Sequence, residues 1–284
     1  GQLVAAEIVL ATVLSSLAKL GKQLEAFYDL MAATDKLGMV LDVPLERSNG
    51  EHHFTVEAHG AELEMRGVSW STPGGGPLFS NVTFTANRGE RIGIRGPSGA
   101  GKSVLLELAW GLRAPTAGNI RVDGRDLREL TLESLRRSVA LVDGIDVIDA
   151  TVRENVLMAR PFVSDDKVRE ALQRVDLLDP VSSLPDGLET RLGVDGAPLS
   201  LGQLAELQLA RAIAAEPRLL LVSDVFPILD STERGRLFDV LFDRDAPWTL
   251  VFITNSEDAL SRCDRTFVFE HGSLVPDQSA TAAS

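Results

Sequence analysis

Gly96-Pro97-Ser98-Gly99-Ala100-Gly101-Lys102-Ser103 is the stretch that decides the fold of this chain. It fits the pattern G-x-x-x-x-G-K-[ST] at every fixed position. Arg91-Ile92-Gly93-Ile94-Arg95, just before it, reads as a strand. The run VLLELAWGL after it reads as a helix, with Gly111 placed to stop it. Glycines let backbone N–H groups converge on phosphate oxygens, and a helix N-terminus adds a favourable field for an anion. In this pattern Lys102 supplies a point charge to the outer phosphates, and Ser103 offers a hydroxyl to Mg2+. An accidental glycine turn is the alternative, and eight matched positions between a strand and a helix weigh against it.

Outward from the loop, two kinds of pattern appear. On its N-terminal side, Leu63–Trp70 and Leu78–Ala86 alternate apolar and polar residues around the turn Pro73-Gly74-Gly75-Gly76-Pro77, as β-hairpins do. On its C-terminal side short apolar runs alternate with helical stretches. The strands expected are Ile120–Val122, Val139–Val142, Leu219–Val222, Thr249–Ile253 and Thr266–Phe269. The helices expected are 131–137, 151–159, 165–175, 202–215, 231–243 and 256–262. Such alternation predicts a mostly parallel sheet covered on both faces, with an antiparallel subdomain built from the hairpins. Asp165-Asp166 suits the start of a helix.

Residues 2–40 read as one long helix or two close ones, and Pro44 ends the pattern. The stretch 3–20 is mostly apolar but carries Glu7 and Lys19, and falls just short of the roughly 20 apolar residues a membrane span needs. No basic segment precedes it, so it does not read as a cleavable signal. Beginning at Gly1 rather than Met, the chain reads as part of a longer protein.

Net charge is −13 and the sequence pI is near 4.8, a balance that argues against nucleic acid as a partner. A single cysteine, Cys263, cannot form an internal disulfide and reads as a small buried or half-buried residue. Of four histidines, His52, His53 and His59 share one polar stretch, which reads as a solvated loop rather than a metal site.

Several segments beyond the glycine loop resemble the nucleotide-binding domain of ABC transporters, exporter type, over about residues 62–276. RVDGRDLREL (121–130) is similar to the family's segment after the glycine-loop helix, and TVRENV (151–156) to its stretch after the Q-loop. LPDGLETRLGVDGAPLSLGQ (184–203) resembles the approach to the signature motif, with Leu199-Ser200-Leu201-Gly202-Gln203 standing where the family has LSGGQ. ARAIAAEPRLLLV (210–222) and Pro227-Ile228-Leu229-Asp230 resemble the run into Walker B and the D-loop. The resemblance implies an α/β fold: a P-loop NTPase core with a mostly parallel sheet, an antiparallel β-subdomain, an inserted helical subdomain and an N-terminal helix. It divides the chain into 1–47, the end of a last transmembrane helix and its connecting helix; 48–61, a linker; 62–276, the nucleotide-binding domain; and 277–284, a flexible tail.

The same resemblance implies ATP and Mg2+ as ligands, and it exposes departures. Seven residues back from Asp230, where the family carries the magnesium-supporting aspartate, stands Ser223. The glutamate that polarises the attacking water is replaced by Asp224, one methylene shorter, and misplacement by about 1 Å costs ~10²-fold in such sites. In an alternative register Asp224 is the magnesium-side carboxylate and Val225 leaves no base. Asn255 stands for the switch histidine; it donates a hydrogen bond but relays no proton. Asp143-Gly144 stands in place of the Q-loop glutamine, which makes Asp143 a candidate metal ligand beside Ser103. Thr72 aligns with the aromatic that stacks on adenine, while Trp70 reads as a core residue. Leu201 replaces the first signature glycine, with Ser200, Gly202 and Gln203 retained for a partner's nucleotide.

The reading that follows is an ATP-binding domain of an exporter on the cytoplasmic face of the membrane. It pairs head-to-tail with a second such domain, as a homodimer or heterodimer, and couples to a transmembrane domain. Hydrolysis is expected to be impaired or partner-dependent. A regulatory or structural ATP-binding protein of the same fold is the alternative. A binding module that has abandoned nucleotide is disfavoured by intact Lys102 and Ser103.

Overall fold

The computed structural model describes residues 2–42, 50, 52, 59–72, 74–158, 160, 162–223, 226 and 229–277. Asp224, Val225, most of the 48–61 stretch and the tail 278–284 lie outside the described residues. The chain divides into two compact units, Gly1–Arg47 and Ser48–Ser284. The first holds a single unbroken helix, α1 (Gln2–Leu41), whose described large apolar side chains are exposed. No described helix is long and apolar enough to cross a membrane.

The second unit runs β1 (Leu63–Ser71), β2 (Pro77–Ala86), β3 (Arg91–Arg95), α2 (Lys102–Ala109), β4 (Ala117–Val122), β5 (Arg125–Asp126), α3 (Leu132–Ser138), β6 (Val139–Val142) and α4 (Val152–Leu157). It continues through α5 (Asp165–Arg174), α6 (Leu178–Ser182), α7 (Leu201–Ile213), β7 (Leu219–Val222), α8 (Ser231–Leu241), β8 (Thr249–Ile253), α9 (Glu257–Ser261), β9 (Arg265–Glu270) and β10 (Ser273–Pro276). Six strands form one sheet in the order β10-β9-β3-β8-β7-β6, parallel except for β10.

The period-2 alternation of side chains puts the strands β6, β7 and β8 in two cores at once. Leu219, Leu221, Val251 and Ile253 join one core, shared with α2 and the antiparallel sheet. Leu220, Val222, Leu250 and Phe252 join the other, shared with α4, α5, α7 and α8. Burial on both faces is why these strands read as continuous apolar runs. Phe252 meets Phe238 edge-on at 5.7 Å, which fixes α8 on β8.

A second sheet is antiparallel, in the order β2-β1-β4-β5. Here the strand at Ile120–Val122 departs from expectation. The alternation of strands and helices assigns it to the parallel sheet, but it pairs antiparallel with β1, Leu63 opposite Val122 and Met65 opposite Ile120. The cause is hydrophobic: Ile120 and Val122 complete the buried face begun by Leu63 and Met65. β10 and α6 escaped the pattern because each carries a proline, Pro276 and Pro180, that reads as a breaker.

The stretch 151–156 folds around one residue. Thr151 and Glu154 form a reciprocal capping box for α4. Asn155 is fully buried; its Nδ2 donates to the carbonyls of Ile148 (3.0 Å) and Thr151 (3.0 Å). Its Oδ1 accepts from Ile148 N–H at 3.0 Å and from Arg211 Nη2 at 3.1 Å. Burial, with Arg160 beside it, lowers the Arg211 pKa to about 10. Asp165 and Asp166 occupy the first turn of α5 behind the Ser164 cap.

Candidate nucleotide-binding site

The glycine loop leaves the C-terminal end of β3. Because β8 lies beside β3 and β7 beside β8, the ends of three strands deliver their next residues to one place. Ser223 follows β7, Thr254 and Asn255 follow β8, and Lys102 and Ser103 open α2. Together they line a cleft of about 510 Å³. Ligands of open parallel sheets bind outside the carboxyl ends of the strands, where this cleft lies.

The loop's shape depends on two glycines. Gly96 has φ +154°, and a Cβ there would sit 2.5 Å from the Phe269 carbonyl oxygen of β9. Gly101 caps α2 at φ +96°, where a Cβ would meet Leu78 Cδ2 at 2.8 Å. Side chains at either position would push the loop off its neighbours. The first turn of α2 then presents N–H groups that have no intrahelical acceptors.

Two side chains converge on the Gly96 peptide. Lys102 Nζ donates to the carbonyls of Gly96 (2.9 Å) and Pro97 (2.7 Å). Asn255 Oδ1 accepts from Gly96 N–H at 3.2 Å, and its Nδ2 donates to the Gly96 carbonyl at 3.4 Å. Burial lowers the pKa of Lys102. An anion in the cleft would offset that desolvation through charge-assisted hydrogen bonds.

The described sequence-derived candidates fall into four places. Gly96 to Ser103, Ser223 and Asn255 share the cleft region; Ser223 N–H also donates to the Val142 carbonyl at 2.8 Å. Asp143 is exposed and lines a separate cavity with Trp110, Arg136 and Arg211. Thr72 is exposed at the end of β1, and Trp70 is buried, as a core residue is. Ser200, Gly202 and Gln203 start α7, where Ser200 and Gln203 form a capping box, and none of the three lines the cleft. Asp224 is outside the described residues. No group of three or more His, Cys, Asp or Glu side chains among the described residues could hold a metal ion.

Residues 79–225, just over half of the chain, match the ABC transporter family, from β2 through the glycine loop and α7 to the end of β7. The chain belongs to the ABC transporter family. It carries that family's ATP-binding domain. It is 32% identical over 228 residues to a multidrug efflux ATP-binding/permease protein of Mycobacterium bovis, covering 80% of this chain and 19% of the relative. It is 30% identical over 250 residues to an ATP-dependent lipid A-core flippase of Ralstonia nicotianae, covering 86% of this chain and 42% of the relative. The fold is that of a bacterial Atm1-family ABC exporter with ATP bound, with TM-score 0.75, 22% identity, and coverage of 86% of this chain and 43% of that one. The chain therefore spans less than half the length of these relatives.

One feature of this ABC domain was invisible in its sequence. Glu206, on α7, is only 7% exposed. Burial pushes its pKa up to about 7; Arg236, 3.7 Å away, opposes the rise, and Glu233 and Asp176 add to it. Below pH 4.5 the carboxyl is protonated whether folded or unfolded. Between 4.5 and about 7 the unfolded chain releases the proton and the folded chain keeps it, so stability falls as pH rises. The loss is complete above 7 and amounts to about 3 kcal/mol. Glu206→Gln is therefore expected to raise the melting temperature by several degrees at pH 8 and to change little at pH 4.5. Equal gains at both pH values in a thermal melt would contradict this assignment.

Proposed function

We propose that this chain is the nucleotide-binding part of an exporter and that it couples ATP binding, with weak or partner-dependent hydrolysis, to transport. The carrying observation is the composition of the cleft. Lys102 and Ser103 stand ready for phosphates, while the described polar residues facing them across it are Ser223, Thr254 and Asn255, none of them a carboxylate or a proton relay. Mg2+ takes oxygen ligands and is usually held by one or two carboxylates plus phosphate oxygens and water. Ser103 fits that donor set beside a triphosphate. Among the described residues, Ser223 offers a neutral oxygen and Asp143 lies in another cavity, so of these the ion would rest on Ser103, with phosphate and water.

In this reading Ser200, Gly202 and Gln203 serve the nucleotide of a second ATP-binding domain, and that domain's signature helix serves this cleft. Residues 1–47 belong to the end of a transmembrane segment and its connection, which places the domain at the cytoplasmic face. The exporter relatives support this arrangement. Calorimetric titration with Mg-ATP is expected to show one site per chain, in competition with ADP. Absence of heat together with absence of competition would sink the reading.

A further inference from the structure

Lys167, Glu170, Ala171 and Arg174 fall at i, i+3, i+4 and i+7 of α5, so one face of this helix mixes both charges with a small apolar residue. The fold sets that face against the chain leaving α7 and the chain entering β7 and β8. Between them lies a cavity of about 450 Å³, within the range of small-molecule sites. Arg218 stands directly before β7 and Pro247 just before β8, so the cavity lies at the strands' N-terminal ends, opposite the glycine loop.

The lining has an apolar part and a charged part. Ala171, Ile213 and Ala214 are buried and apolar. With them stand three cations, Lys167, Arg174 and Arg218, and three carboxylates, Glu170, Glu216 and Asp245. Two of the cations are already matched. Lys167 pairs with Glu216, and Arg218 pairs with Asp123 at 2.6 Å and donates to the Gly60 carbonyl at 2.9 Å. Arg174 is matched only in part. Its Nη2 donates to Asp243 at 3.2 Å and its guanidinium lies 5.2 Å from the buried Trp248 ring, while Nε and Nη1 have no acceptor among the described residues. Glu170 and Arg174 have the spacing of a favourable i,i+4 ion pair, yet they do not bond each other. The carboxylates of Glu170 and Asp245 make no hydrogen bond or ion pair among the described residues. A ligand of one sign would meet repulsion from part of this lining, and a ligand carrying both signs matches it.

We propose that this cavity is a second ligand site, for a zwitterionic α-amino acid with an apolar side chain. Its carboxylate accepts from Arg174, its ammonium donates to Glu170 and Asp245, and its side chain lies against Ala171, Ile213 and Ala214. The ligand ties α5 to the base of the parallel sheet and leaves the glycine-loop cleft open.

The test is calorimetry on the full chain with L-leucine as the probe, with and without Mg-ATP. One leucine per chain is expected to bind, with the same affinity whether or not Mg-ATP is present. N-acetyl-leucine lacks the ammonium and leucinamide lacks the carboxylate, so each is expected to bind at least about tenfold more weakly, the loss of one charge-assisted contact. Glu170 is exposed and unbonded, so Glu170→Gln is expected to fold as the parent does, to weaken leucine at least about fivefold and to leave ATP affinity within about twofold. No heat with leucine at about 10 mM would overturn the proposal. So would equal binding of N-acetyl-leucine or leucinamide, or displacement of leucine by Mg-ATP. Leucine binding that neither Glu170→Gln nor Asp245→Asn weakens would also overturn it, by placing the ligand elsewhere.

Discussion

Replacing Lys102 with alanine is expected to weaken ATP binding at least about a hundredfold while leaving the fold intact. The Nζ group sits half-buried in the loop, bonded to the carbonyls of Gly96 and Pro97. Its burial lowers its pKa, so the free protein bears a desolvation cost for holding this charge. Phosphate oxygens offset that cost through charge-assisted hydrogen bonds of roughly 1.5–3 kcal/mol each. Losing about 3 kcal/mol is a hundredfold in affinity. Stability is another matter: Lys102→Ala removes two hydrogen bonds from a loop edge and no core packing. Titration with Mg-ATP, beside a thermal melt, checks both halves. A dissociation constant within threefold of the parent chain would contradict the assignment of Lys102.

The second large effect runs in the opposite direction. A triple variant, Ser223→Asp with Asp224→Glu and Asn255→His, is expected to raise single-turnover ATP hydrolysis a hundredfold or more. Ser223 already stands at the end of β7, its N–H bonded to Val142, and lines the cleft. A carboxylate there would give Mg2+ a charged ligand. Asp224→Glu extends the neighbouring carboxylate by one methylene, and a correctly placed general base contributes ~10²–10⁴-fold. Asn255 is exposed and rests against the Gly96 peptide, so an imidazole has room to replace it. If the triple variant binds ATP as the parent does but hydrolyses no faster, the departures at these positions are not what limits hydrolysis.

What the sequence disclosed, and what it hid, follows from range. The glycine loop was legible because its chemistry is local: a strand, a tight turn and a helix start within a few residues. The strands β7 and β8 were legible because burial on both faces writes them as nearly unbroken apolar runs, and β3 because it leads straight into the glycine loop. Partnership between strands was not: Ile120–Val122 carries the same pattern whether it lies beside β1 or in the parallel sheet. Nor could spacing reveal that Asn255 bonds Gly96, 159 residues earlier in the chain. Glu206 was silent, since a glutamate on a helix reads as a solvent face until its neighbours are placed. Asn155 likewise read only as part of a family stretch, and the structure shows why that stretch holds its shape. Ser223 and Asn255 came into view only through the resemblance, by counting from Asp230 and from the strand TLVFIT. The fold now puts both at the glycine-loop cleft.

Single-turnover hydrolysis by the unaltered chain is the most direct measurement, with protein in excess over labelled ATP, Mg2+ present and quenching from milliseconds to minutes. Bound ATP is expected to remain mostly intact, converting at least a hundredfold more slowly than the ~10 s⁻¹ common among enzymes. Conversion of bound ATP at several per second would contradict a site that holds the triphosphate but lacks the groups to cleave it.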